Sequence, residues 1–195
     1  MWAGVAVGYH LASRLAYVVG IGTALTRQRH DQVFTRRYGE AAGFRRFRRL
    51  AVFLLNNDAV SFVLLSLATR NTLAPIATVP VRVALGVLLV IAGLSIKLWA
   101  ARTLGPGAYY WENFFIPKPV VPLDPPGPYR YIKDPMYTVG YLHAYGFALV
   151  CGSALGLAAA AFDQIAILAF HALVEKPHFD RLTAETTHRY IAPKS

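Results

Sequence analysis

The chain has 195 residues, enough for one domain, and is 55% hydrophobic with a mean hydropathy of +0.39 and only 15% charged residues. Soluble domains carry about 25% charged residues, so a chain this apolar, divided into several long uncharged runs, reads as an all-α integral membrane protein. The net charge of +10 would suggest nucleic acid in a soluble protein; here the cations fall between apolar runs, which points to lipid phosphates and the positive-inside bias instead, and the single cysteine, Cys151, excludes a disulfide framework and a cysteine zinc site.

The first spanning candidate runs from Trp2 to about Leu25, with no basic segment ahead of it and hence no cleavable signal peptide expected. His10 and Arg14 interrupt it four residues apart, on one helical face. Such a pair inside a span should face protein or water rather than lipid, and the plainer alternative is a place near an end of the span or in a polar contact between helices. Residues 26–50 form a basic loop holding Arg27, Arg29, Arg36, Arg37, Arg45, Arg46, Arg48 and Arg49 against only Asp31 and Glu40. Phe34, Tyr38, Phe44 and Phe47 are interleaved with them. The pattern fits either an amphipathic segment on an anionic membrane surface or a topology signal alone.

A second span covers 51–69, broken by Asn56-Asn57-Asp58, which should face the bundle interior, to bond helix to helix or to line a tunnel. A third covers 79–100, with Arg82 and Lys97 placed to snorkel. The stretch 101–135 reads as a long loop: Gly105-Pro106-Gly107, an aromatic run from Tyr109 to Phe115, then several prolines. Its aromatics belong to an interfacial belt or to the wall of a ligand cleft, and long irregular loops tend to be functional. A fourth span starts at Tyr137 and ends near Leu155, and a fifth runs from Leu157 to Val174. Almost nothing joins them, so they form a tight hairpin.

The whole chain is thus one domain of about five spans: a three-helix part over 1–100, then loop, hairpin and tail over 101–195. Arginine counting puts the basic loop in the cytoplasm and the N-terminus outside. The 101–135 loop and the C-terminal tail then share the cytoplasmic face, in a bacterial inner membrane or its equivalent.

The densest chemistry lies from Gly127 to Leu142. Asp134 is placed to cap a helix that begins at Pro135. Asp163, His171 and Glu175 fall eight and four residues apart on one stripe of the fifth span. The hairpin brings Glu175 to Tyr137 and the Tyr129–Asp134 loop. The resulting site holds carboxylates, phenols and aromatic faces. It lacks a serine or cysteine nucleophile beside a base and a set of metal ligands, which argues against hydrolase and metalloenzyme chemistry. Carboxylates and aromatic faces suit a sulfonium, and methyl transfer from one needs placement rather than a metal. Glu175 or His171 would serve as the base for an amine or thiol acceptor.

Gly127-Pro128-Tyr129-Arg130-Tyr131, then Lys133-Asp134-Pro135-Met136-Tyr137, an apolar hairpin and Glu175-Lys176-Pro177 together resemble the integral-membrane methyltransferases, the isoprenylcysteine carboxyl methyltransferase and phospholipid N-methyltransferase group. The likeness covers roughly residues 105–190. It implies S-adenosylmethionine bound at the cytoplasmic face and a lipophilic acceptor entering from the bilayer, with a phospholipid amine leading and an isoprenylcysteine carboxylate or a thiol behind. By position, Tyr129, Arg130, Tyr131, Asp134, Pro135, Tyr137 and Glu175 match the cofactor-site motifs, and Glu175, His171 and Arg130 are the candidate catalytic residues. Lys133-Asp134-Pro135 stands where the common form has Arg-His-Pro, and Lys176 where a second glutamate is frequent; the Asp-Pro-Met-Tyr form favours the phospholipid branch. Two other readings remain: a sterol-reductase-like enzyme using NADPH, against which Met136 and Tyr141 count, and a membrane protein that keeps the fold without catalysis.

Overall fold

The computed structural model describes residues 2–75, 78–116 and 126–191, the side chains of 185–191 excepted. The proline-rich part of the long loop, 117–125, lies outside the described residues, as do the side chains of the tail's last turns. Four helical stretches are long and apolar enough to cross a membrane: Trp2–Asp31, Glu40–Ala68, Val79–Phe114 and Ala154–Ala184. The protein is therefore a helical membrane protein, and among the described residues no strand occurs.

The expected basic loop is mostly helix. α1 (Trp2–Asp31) continues past the apolar run, α2 (Val33–Tyr38) is a short turn of helix, and α3 (Glu40–Ala68) follows Gly39, whose φ of 76° separates it from α2. Arginine is a good helix former. The interleaved Phe44 and Phe47 turn inward as core residues, which leaves Arg45 and Arg49 exposed on the outer face. α4 (Val79–Ala108) also runs beyond its predicted end and breaks at Gly105, where φ is 78°. The aromatic run that follows turns inward rather than to the membrane interface: Trp111, Phe114 and Phe115 are buried in the core. Phe115 packs on Phe47 at 5.1 Å between ring centroids, and Trp111 on Phe170 at 5.7 Å.

The helix expected to begin at Pro135 begins at Leu142. Asp134 adopts a left-handed φ of 50°, residues 135–138 turn, and Val139–Tyr141 form a single 3-10 turn ahead of α5 (Leu142–Cys151). Asp134 still offers its backbone carbonyl to the amides of Tyr137 and Thr138, at 2.9 and 3.0 Å, but its side chain is drawn elsewhere. The fourth apolar run is thus a ten-residue helix preceded by irregular backbone. Such backbone is tolerated beside spanning helices only where protein covers it, and Pro128, Pro135 and Gly140 are all buried.

α5 lies antiparallel against α4 through glycines. A Cβ on Gly86 would stand 2.8 Å from the Gly146 carbonyl oxygen, so only glycine permits this approach. α6 (Ala154–Phe170), capped by the Ser153 hydroxyl on the Gly156 amide at 2.7 Å, passes through one π-helical turn, His171–Glu175, into α7 (Lys176–Ile191). α5 runs to the end of the molecule where Arg82 lies against Gly152, and α6, packed on α5, α1 and α3, returns the chain to the end that holds Arg27, Arg29 and the arginines at the start of α3.

Candidate active site

Two neighbouring cavities open inside the bundle. The smaller, about 140 Å³, is lined by Tyr129, Asp134, His171, Glu175 and Phe179 among others. The larger, about 310 Å³, lies deeper, with Asp58, Lys97, Phe147 and His143 in its wall. Tyr109, Trp111, Met136 and Tyr137 line both and form the partition between them.

Glu175 is the centre of the smaller cavity. It is 4% exposed, and three donors converge on its carboxylate. The Trp111 indole N–H and the Tyr137 hydroxyl both donate to Oε1, the latter at 2.8 Å. His171 Nδ1 stands 2.6 Å from Oε2. The other ring nitrogen of His171, Nε2, lies 3.3 Å from Asp134 Oδ1. An imidazole between two carboxylates satisfies both by donating from both nitrogens, which is the imidazolium form. The π-helical turn puts His171 and Glu175 on the same side of the helix; such single turns recur at functional sites. Gln164 fixes the opposite wall by donating to the Tyr137 carbonyl at 3.0 Å. Trp111 reaches its place through a left-handed backbone, φ 59°, uncommon for so bulky a residue and held by its aromatic packing. Burial, with the Glu175 and Asp134 carboxylates nearby, pushes the Tyr129 phenol up, so it stays a neutral hydroxyl at physiological pH.

Of the residues singled out in sequence, Tyr129, Asp134, Tyr137, His171 and Glu175 meet around this cavity. Pro135 is fully buried behind it. Arg130 and Tyr131 lie on the exposed side of the 127–130 turn and line neither cavity, Tyr131 being 74% exposed. Lys176, at the position of the second carboxylate, turns outward to Asp180 at 2.5 Å. Asp163 does not join the His171–Glu175 pair: eight residues of helix set it roughly 12 Å deeper. There it meets Arg14 Nε at 2.8 Å and His10 Nε2 at 3.3 Å.

Arg14 is 2% exposed and holds the bundle's interior together. Its guanidinium also pairs with Asp58 Oδ2 at 2.8 Å and donates to the Tyr141 hydroxyl and, at 2.9 Å, to the Asp163 carbonyl. Beside it, Asn57 donates to Ser13 Oγ at 2.6 Å and accepts from the Tyr9 hydroxyl at 2.7 Å. Among the placements the sequence allows for His10 and Arg14, the polar contact between helices is the one that forms. Asp58 bonds α3 to α1 through Arg14 and also lines the larger cavity. The partner choice of Asp58, and the role of Trp111 in seating Glu175, carried no local signal; a buried arginine in a span does demand carboxylates, but not which ones. Among the described residues no cluster of three metal-ligating side chains occurs.

Residues 81–185 match the family model described as phospholipid methyltransferase. The chain is similar to phosphatidylethanolamine N-methyltransferases of Malassezia globosa (32% identical over 71% of this chain and 14% of that protein) and Aspergillus flavus (32% over 80% and 16%). It is also similar to that of Candida albicans (36% over 52% and 12%). The chain thus spans under a fifth of the length of these curated relatives. These relatives are fungal, so they lend nothing to a bacterial inner membrane. No solved structure matches the chain.

Proposed function

The chain belongs to the phospholipid methyltransferase family, and on that premise we propose that it is a membrane methyltransferase that uses S-adenosylmethionine to methylate a phospholipid amine. The observation that carries this is the Glu175 carboxylate, buried between Trp111, Tyr137 and His171 in one of two cavities that share a wall. The donor set fits the cofactor: two carboxylates and the aromatic faces of Trp111, Tyr109 and Tyr129 suit a sulfonium and an adenine. S-adenosylmethionine held there supplies an electrophilic methyl on a positively charged sulfur.

The protein's own part is placement and charge. Asp134 and Glu175 outweigh the one charge of His171, so the smaller cavity carries a net negative charge that offsets a bound cation. Tyr137, fixed at both its hydroxyl and its carbonyl, sets the partition between cofactor and acceptor. Met136, Tyr109 and Trp111 line both cavities beside it. His171 is the group placed to hold or pass a proton, with Asp134 behind it. Arg130 and Tyr131, at the exposed rim, are placed for contacts outside the cavity. The arginines of α1 to α3 support a reading in which this end of the molecule faces the cytoplasm beside an anionic membrane surface and the N-terminus lies outside.

Two measurements test the reading. Calorimetry on protein in detergent should give saturable S-adenosylhomocysteine binding and none for NADPH. Labelled methyl should then pass to phosphatidylethanolamine in mixed micelles. NADPH binding, or binding of neither ligand by folded protein, refutes it.

A further inference from the structure

The larger cavity holds three polar groups whose free chemistry the fold leaves unused. Asp58 gives Oδ2 to Arg14, but its buried Oδ1 has no hydrogen-bond partner among the described residues. Lys97 has no carboxylate within 4.0 Å among the described residues; its ammonium lies 5.8 Å from the Tyr141 ring centroid. His143 Nδ1 stands 2.5 Å from the Gly140 carbonyl oxygen. A carbonyl only accepts, so Nδ1 carries the hydrogen and Nε2 of the neutral ring keeps its lone pair. All three residues line the same space, with Phe62, Phe147 and Val90 as apolar wall.

Among the described residues, a carboxylate with one oxygen still free and an ammonium with no carboxylate in contact, facing one cavity, are the complement of a zwitterion. Resting on the methyl-transfer reading, we propose that this cavity is the acceptor site and reads a phosphoethanolamine head group, its ammonium against Asp58 and its phosphate against Lys97. Tyr109, Trp111, Met136 and Tyr137, which line both cavities, then flank the junction at which the amine nitrogen meets the methyl group held beside Glu175. His143 Nε2 takes one proton from the ammonium, which leaves the amine nitrogen the lone pair that methylation needs. A carboxylate acceptor, such as the C-terminus of an isoprenylcysteine, would meet Asp58 with like charge and is disfavoured here. Lys97 is a specificity residue in this scheme, because an acceptor without phosphate does not need it.

The test compares two acceptors of equal chain length, a short-chain phosphatidylethanolamine and an n-alkylamine, on the full chain in detergent. Lys97→Met is expected to lower kcat/KM for the phospholipid by roughly 10-fold, the worth of one charge-assisted hydrogen bond, and to leave the alkylamine unchanged. Asp58→Asn should lower both by a similar factor. S-adenosylhomocysteine binding should stay within about 3-fold of wild type in both variants. Equal losses on the two acceptors with Lys97→Met overturn the proposal. So does a double variant that regains the wild-type rate, since Lys97 and Asp58 would then only neutralise each other. If wild-type protein methylates neither acceptor, the parent reading of the acceptor fails by itself. Quenching of tryptophan fluorescence by short-chain phosphatidylethanolamine then decides the subsite: loss of the quench in Lys97→Met and Asp58→Asn supports it, and an unchanged quench overturns it.

Discussion

Replacing Glu175 by glutamine removes one charge and little else. The amide oxygen still accepts from Trp111 and Tyr137, and the amide nitrogen can donate to His171 Nδ1 once the imidazole is neutral and carries its hydrogen on Nε2, toward Asp134. The charge itself matters most to a cationic ligand. At about 4 Å and an effective dielectric near 20, a unit charge pair is worth about 4 kcal/mol, or about three decades of affinity. His171 and the converging donors already offset part of that charge, so a differential of roughly 10- to 100-fold is expected. S-adenosylmethionine carries the positive sulfur and S-adenosylhomocysteine does not. Glu175→Gln should therefore weaken the first more than the second, by that factor, when both are titrated calorimetrically into wild-type and variant protein. Equal weakening of the two ligands would refute the argument, because the carboxylate would then not face the sulfonium. No weakening of either would remove Glu175 from the site.

Other expectations follow from the packing. Asp163→Ala strips the Arg14 guanidinium of a buried partner, which costs about 3–5 kcal/mol; a lower thermal midpoint in detergent is expected, with S-adenosylhomocysteine binding in the cold largely kept. Glu175→Ala should show the reverse, losing more activity than Asp163→Ala, and lost turnover at an unchanged midpoint for Asp163→Ala would contradict this division. Gly86→Val drives a side chain into the Gly146 carbonyl at the α4–α5 contact and should cost about 1–3 kcal/mol of stability, read as earlier thermal unfolding; an unchanged midpoint would mean that the helices part easily there. Neutralising Arg45 and Arg49, exposed one turn apart on α3, should reduce the stimulation of turnover by anionic lipid, at about 1 kcal/mol of surface attraction per arginine, without touching cofactor-product binding. Loss of turnover at every lipid composition would place these arginines in catalysis instead.

Much of the architecture is legible in the chain itself. Apolar runs of spanning length, parted by arginine-rich stretches, dictate membrane helices, because a backbone in lipid must satisfy its own hydrogen bonds. His171 and Glu175 are legible as a pair because four residues is the reach of one helical turn, whether α or π. The motif from Gly127 to Tyr137 marks the candidate site because such a density of proline, aromatic and charged residues suits no spanning helix. What the sequence could not decide depends on contacts between distant residues. Asp134 looks like a helix cap locally, yet His171, 37 positions on, draws its carboxylate and the helix waits until Leu142. Asp163 shares a stripe with His171, yet Arg14 claims it from the other end of the chain. Trp111 reads equally as belt or wall until Glu175 and the Phe47 ring are in place around it. In each case local geometry leaves two conformations close in energy. The choice falls to a charged or aromatic partner whose burial is worth several times that difference, and that partner reaches the site only once the helices have packed.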